Sequence, residues 1–252
     1  MAAPKNVLDA LGTLDAFVRE QSVPTPPVSP EATLEHIITI GYSRIYRYGN
    51  SIVFKSGLQI DADGSPKAYN PVSSKGLDDL ANAGHPGNWW GIATSNGRAN
   101  GTPVIQGSSD PAPGFYVSTT ALQAPGAPDT SQRAYVDAST VPFIVLPSKI
   151  GLGLKLGDLC FCLNTATNDN DFGIYADVGP SNQIGEASIA MADALKVPSS
   201  PRTGGVAGGI LYVVFPGSGS GYQTKDEWFP KAVAALNAWG GLDKAKSLVG
   251  EL

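Results

Sequence analysis

The sequence predicts a mainly β fold with a few helices (α+β), built as a single β-barrel-like domain with an N-terminal helical extension. Thirty glycines and 20 prolines in 252 residues describe a chain that turns often, which favours short strands joined by loops over a helical bundle. Short apolar runs of strand length recur through the second half, while helical periodicity is confined to the two ends and one segment between strands. The length suits one domain with a sizeable core.

Taken in order, Val7, Leu8, Leu11, Leu14, Phe17 and Val18 recur at helical spacing between Lys5, Asp9, Asp15 and Arg19. Residues 1–33 therefore read as an amphipathic helix and a linker stiffened by Pro24, Pro26, Pro27 and Pro30, and residues 34–252 as the main domain. The helix lacks a basic polar face, which favours packing on protein over a membrane. A β pattern begins at Ile37 through Ile38, Ile40 and Tyr42 and returns at Ile52-Val-Phe54, and Ser56 to Ala68 reads as a polar loop. Residues 70–137 are irregular, with a short helical turn expected from Gly76 to Ala83. Loops as long as those at 84–91 and 96–113 are either functional or disordered. Clear strands follow at Phe143-Ile-Val-Leu146, Asp158 to Leu163, Phe172 to Ala176 and Gly209 to Phe215. One helix is expected from Glu186 to Leu195, with Ala187, Ala190, Met191, Ala194 and Leu195 as its apolar stripe; two more close the chain, from Trp228 to Trp239 and from Leu242 to Val249.

Composition removes several function classes. A net charge of -5 with no basic cluster argues against nucleic acid, and no apolar run approaches the length needed to span a bilayer. The two cysteines, Cys160 and Cys162, share one face of a strand; they are poorly placed to bond each other and lack partners for a zinc site. No metal or cofactor is expected. No signal peptide is visible, because Asp9 and Asp15 interrupt the N-terminal apolar stretch; the protein is either cytoplasmic or, if it works outside the cell, has lost a leader or uses another export route. Ser188 and Ser218 have no matching His and Asp, and no Gly-Lys-Ser/Thr follows the glycine-rich runs.

Asp177 and Glu186 stand nine residues apart across a turn, in a nearly uncharged stretch where a glutamate contributes little to solubility. Two carboxyl groups flanking one bond are what glycosidic hydrolysis requires, although a turn cap and a helix cap would produce the same spacing. Glu186, opening a helix, is expected to be ionised by its dipole; Asp177, ending an apolar strand, is expected to be raised by burial and to act as the acid. Asp61 and Asp63 in Ile60-Asp-Ala-Asp-Gly64 are candidate anions for a cationic substrate. A calcium loop is disfavoured, since position 12 counted from Asp61 is Val72. Tyr69, Trp89 and Trp90 are candidates for stacking on sugar rings, with at most one of the adjacent tryptophans facing a cleft.

Seven segments carry a resemblance. They are Leu58-Gln-Ile-Asp-Ala-Asp-Gly64, Val141-Pro-Phe-Ile-Val-Leu-Pro147, Gly157-Asp158, Tyr175-Ala-Asp-Val-Gly-Pro180, Ile184-Gly-Glu-Ala-Ser-Ile189, Ser200-Pro-Arg-Thr-Gly-Gly205 and Tyr212-Val-Val-Phe-Pro-Gly-Ser218. In this order, over roughly residues 55–221, the chain resembles glycoside hydrolase family 75, the chitosanases. The resemblance implies a secreted, endo-acting enzyme that hydrolyses β-1,4 bonds of chitosan with inversion, using Asp177 and Glu186. Asp61, Asp63, Tyr69, Trp89 and Tyr175 make up the expected substrate-binding set. Fold analogy with endoglucanases suggests a double-psi barrel. Val178 stands where many members carry Thr, and Ala62 where fungal members carry Cys, so a disulfide of those relatives is absent. Two rival readings share the scaffold: hydrolysis of another amino-sugar polymer such as peptidoglycan, and non-catalytic polysaccharide binding.

Overall fold

Ten strands and three helices are assigned in a computed structural model that describes residues 32–147, 150 and 153–252. The expected N-terminal helix and proline-rich linker lie outside the described residues. The strands are β1 (Leu34–Ile40), β2 (Ser43–Tyr48), β3 (Ser51–Asp61), β4 (Gly84–His85), β5 (Asn88–Trp89), β6 (Phe143–Pro147), β7 (Leu159–Asn164), β8 (Asn170–Gly179), β9 (Glu186–Ser188) and β10 (Val206–Phe215). The helices are α1 (Ile189–Ala194), α2 (Lys225–Trp239) and α3 (Gly241–Leu248).

Six strands close into a ring in the order β3-β10-β7-β8-β6-β9 and back to β3. Four of the contacts are antiparallel; β6–β8 and β9–β3 are parallel and flank the antiparallel β6–β9 pair. The fold is thus a mainly β, barrel-centred domain. The β1–β2 hairpin extends the sheet from the first half of β3, and β9 pairs with the second half.

Strands β6 and β7, and β8 as far as Ala176, are buried on both faces. On β7, Cys160 and Cys162 join a core to which all six ring strands contribute, with Phe54, Ile144, Tyr175, Ala187 and Tyr212. The alternate residues Leu159, Phe161 and Leu163 join a second core with Trp228, Leu236 and Trp239 of α2. Both cysteines are free. A capping box between Thr224 and Glu227 starts α2 three residues before the expected Trp228.

Two expectations are corrected. Ser56 to Asp61 is not loop but the continuation of β3, which runs for 11 residues. Its polarity has a local cause: Ser56, Gly57, Gln59 and Asp61 line an open cleft. The helix expected at Glu186 starts at Ile189, because the Ser188 hydroxyl accepts from Met191 N–H at 3.1 Å and caps it there. Glu186 to Ser188 is strand instead.

Apart from the short β4–β5 pair, the irregular segment 64–136 is held largely by buried side chains. Gln132 donates to the carbonyls of Gly64 (2.8 Å) and Ser118 (3.1 Å) and accepts from Ser118 N–H (2.8 Å). Gln106 does the same for Pro66, Tyr116 and Ala112. Each amide satisfies backbone groups that a loop would otherwise leave unpaired. The turn expected at 76–83 resolves into two 3-10 turns, Ser73–Lys75 and Leu80–Ala83.

Candidate active site

The two parallel contacts of the barrel bring the acids together. Val145 on β6 is the Cα partner of Asp177 on β8 and, on its other side, of Glu186 on β9. Residues directly paired in a sheet point to the same face, so both carboxylates stand beside Val145, two strand spacings apart, about 9.5 Å between backbones. The sheet continues to β3, where Gln59 pairs with Glu186 and Asp61 with Ser188. Gly185 lets β9 approach β3 this closely: it has φ +88°, and a Cβ there would lie 2.4 Å from the Ser56 hydroxyl. Its carbonyl accepts from Gln59 N–H at 2.8 Å. Ser188 fixes the other end of β9, donating to Val141 O (2.9 Å) and accepting from Phe143 N–H (3.0 Å).

The acids differ in what holds them. Asp177 Oδ1 accepts two backbone bonds, from Ala121 N–H at 2.9 Å and Val178 N–H at 2.8 Å. Burial raises Asp177 to about 6 against the pull of those bonds. Glu186 is raised to about 7 by burial first and then by the charges of Asp177 and Asp78. No hydrogen bond reaches its carboxylate among the described residues, and with Glu186 in a strand the expected helix-dipole stabilisation is absent. Asp61, 6% exposed, accepts from Asp63 N–H through Oδ1 at 2.7 Å, while its Oδ2 is buried without a partner among the described residues. Asp63 accepts from the Tyr69 hydroxyl at 2.6 Å. Burial and neighbouring carboxylates raise both Asp61 and Asp63 well above the usual range.

One oxygen from each of Asp61, Asp63 and Asp177 lies within 4.8 Å of the others. Such a trio can share protons or converge on one small cation, a substrate ammonium included.

The acids line an open cleft of about 1470 Å³, larger than the roughly 300–1,000 Å³ of pockets for small ligands. Among the described residues its walls carry five carboxylates, Asp61, Asp63, Asp78, Asp177 and Glu186, against one cation, Lys55, whose Nζ donates to Val249 O at 3.1 Å.

The expected binding aromatics fall differently. Trp89 is corrected: at 8% exposure it packs with Tyr69 and Ile92, because β5 turns its ring inward, and its neighbour Trp90, 58% exposed, lines the cleft. Tyr69 reaches the cleft through its hydroxyl, with its ring in the core, so it orients Asp63 rather than stacking. Tyr175 is likewise corrected to a barrel-core residue. Three cleft residues escape the sequence reading: Val145 between the acids, Tyr42 fully exposed at the β1–β2 turn, and Asp78. Only the exposed tip of an otherwise regular β pattern could have signalled Tyr42.

No protein-family model matches the sequence, and no curated protein matches it significantly. The chitosanase resemblance therefore rests on the seven segments quoted above, and the geometry of the site carries the functional reading.

Proposed function

We propose that the protein is an endo-acting glycoside hydrolase that cuts β-1,4 bonds of chitosan with inversion, without metal or cofactor. The observation that carries this reading is the cleft itself: among the described residues, five carboxylates against one lysine, with two of the acids paired across Val145. A polymer bearing one ammonium per sugar complements such walls, whereas neutral or acidic glycans do not. Asp61, with an oxygen left free, and Asp63 accept the ammonium of a bound glucosamine unit. Trp90 and Tyr42 offer apolar faces to the rings.

Hydrogen bonding divides the labour. Two N–H donors stabilise Asp177 as the anion, so Asp177 is the base that takes a proton from water; the water oxygen then attacks the anomeric carbon. Glu186, held higher and without donors, keeps its proton and delivers it to the departing glycosidic oxygen. This reverses the assignment expected when Glu186 is placed on a helix. Inverting pairs need roughly 6.5–9.5 Å between carboxyl groups to admit the water, and an Asp177–Glu186 carboxyl separation in that range is what this reading requires. The test is parallel incubation of wild type, Asp177→Asn and Glu186→Gln with fully deacetylated chitosan, chitin and peptidoglycan. Cleavage of chitosan by wild type alone is expected. Cleavage of peptidoglycan instead would transfer the site to the rival polymer, and binding without cleavage would make the protein a polysaccharide-binding module.

A further inference from the structure

Arg202 belongs to the turn 198–205, which lines the cleft with Pro201, Gly204 and Gly205. Its guanidinium grips the loop 73–79. Nη2 donates to the carbonyls of Ser73 (2.7 Å), Asp78 (2.8 Å) and Gly76 (3.3 Å), and Nη1 pairs with the Asp79 carboxylate. The Asp79 side chain is 56% exposed, so the ion pair contributes little; the three carbonyls matter more, and they share the two N–H groups of one nitrogen, a role that a lysine ammonium can fill in part if its chain reaches them.

Both ends of this link are anchored to cleft residues. On the loop, Asp78 accepts from Asn82 Nδ2 with both carboxylate oxygens (2.9 Å each) and from Asp79 N–H (2.7 Å), and Asn82 O accepts from Trp90 Nε1 at 2.7 Å. Asp78, Asn82 and Trp90 thus form one hydrogen-bonded wall. On the turn, Gly204 N–H donates to Ser200 O and Gly205 N–H to Pro198 O, both at 2.7 Å. Gly205 lies so close to β3 that a Cβ would sit 2.6 Å from Leu58 O, three residues before Asp61.

We propose that Arg202 is a positioning residue: it spans the turn and the loop, holds the wall of Asp78, Asn82 and Trp90 at a set distance from the β3 strand that carries Asp61, and so fixes the groove at the width of one polysaccharide chain. The functional half of this inference rests on the hydrolase reading above; the mechanical half does not. The charges around Asp78 are those of Asp79 and Arg202 on the two gripped segments and of Asp63 and Glu186 across the cleft. When the wall drifts, Glu186 loses the nearby negative charge that helps keep it protonated.

The experiment compares Arg202→Ala, Arg202→Lys and Asp79→Asn with wild type. Hydrogen exchange of the amides of Gly76, Leu77 and Asp78 is expected to quicken about tenfold or more in Arg202→Ala, by less in Arg202→Lys, and hardly at all in Asp79→Asn. On chitosan oligomers, Arg202→Ala is expected to raise KM about tenfold with kcat within about twofold, and to move the alkaline limit of activity to lower pH. Unchanged exchange in both Arg202 variants overturns the link. Faster exchange with KM and the pH profile unchanged overturns its role in the groove. A wild type inactive on every glycan defeats the hydrolase reading, and the exchange arm still decides the link.

Discussion

Asp158 and Asp61 are both buried carboxylates on the same barrel, 0% and 6% exposed, and they are held in opposite ways. Asp158 closes the chain at the head of β7: Oδ2 accepts from Lys155 N–H (2.8 Å) and Gly217 N–H (3.1 Å), and Oδ1 from Gly219 N–H (2.9 Å). Its charge has donors on every side. Asp61 has one donor, one empty oxygen, and three carboxylates within electrostatic reach, Asp63, Asp177 and Glu186. Burial is common to both, so burial does not distinguish a structural acid from a site acid. Unmet hydrogen-bonding capacity among like charges does, because a ligand, ion or water is then needed to supply the missing partner.

The sharpest test of this contrast is to neutralise acids on each side of it. Glu186→Gln and Asp177→Asn are expected to lower turnover of deacetylated chitosan by about a thousandfold while leaving thermal stability unchanged or raised, since a buried charge is removed. Asp158→Ala is expected to do the reverse. Three N–H donors lose their acceptor, costing about 3 kcal/mol in urea unfolding, and turnover per folded molecule is retained. If Asp158→Ala proved stable or the Glu186 variant unstable, the contrast would break.

Titration gives a smaller effect. With Asp177 at about 6 as the base and Glu186 at about 7 as the acid, kcat/KM is expected to rise with pH through about 6 and fall through about 7. Stability follows from the same groups. Each is raised above its unfolded value, so the folded state binds protons more tightly. That contribution is complete below the ordinary carboxylate range and is lost as pH rises through about 6 and about 7. Melting temperature should therefore decline as pH rises towards neutrality, and Asp61→Asn should flatten the slope. A slope of the opposite sign would remove the cluster as its source.

The adjacent tryptophans give the mildest version of the contrast. Trp90→Ala is expected to raise KM about fivefold with little change in stability, in line with one lost stacking contact. Trp89→Ala should cost about 3 kcal/mol of stability through a core cavity and leave KM alone.

These pairs also show where the sequence stops being legible. Strands buried on both faces are readable as apolar runs, and Asp177 and Glu186 stand out because charge is rare around them. The end of β3 is not readable, because its residues are polar for a reason external to the strand: they face a cleft made by distant segments. The start of α1 is ambiguous for a similar reason. Apolar residues from Ala187 onward fit a helix, but Glu186 and Ala187 are claimed by pairing with β3 and β6, and the competition is settled by contacts remote in sequence. Trp89 and Trp90 are equivalent as letters; only the direction of β5 separates them. Asp78 and Arg202, 124 residues apart, have no local pattern to announce their meeting.

Val145 pairs with Asp177 on one side and with Glu186 on the other, and this makes the sheet a ruler for the two acids. The distance between the two backbones is counted in strand spacings of about 4.8 Å and is not set by loop changes. Only side-chain length remains adjustable: Asp177→Glu shortens the span by about one methylene and Glu186→Asp lengthens it, in steps of about 1.5 Å. On the proposed hydrolase reading, strand order would thereby constrain the stereochemical outcome, and changing it would require removing β6 from between the two acids.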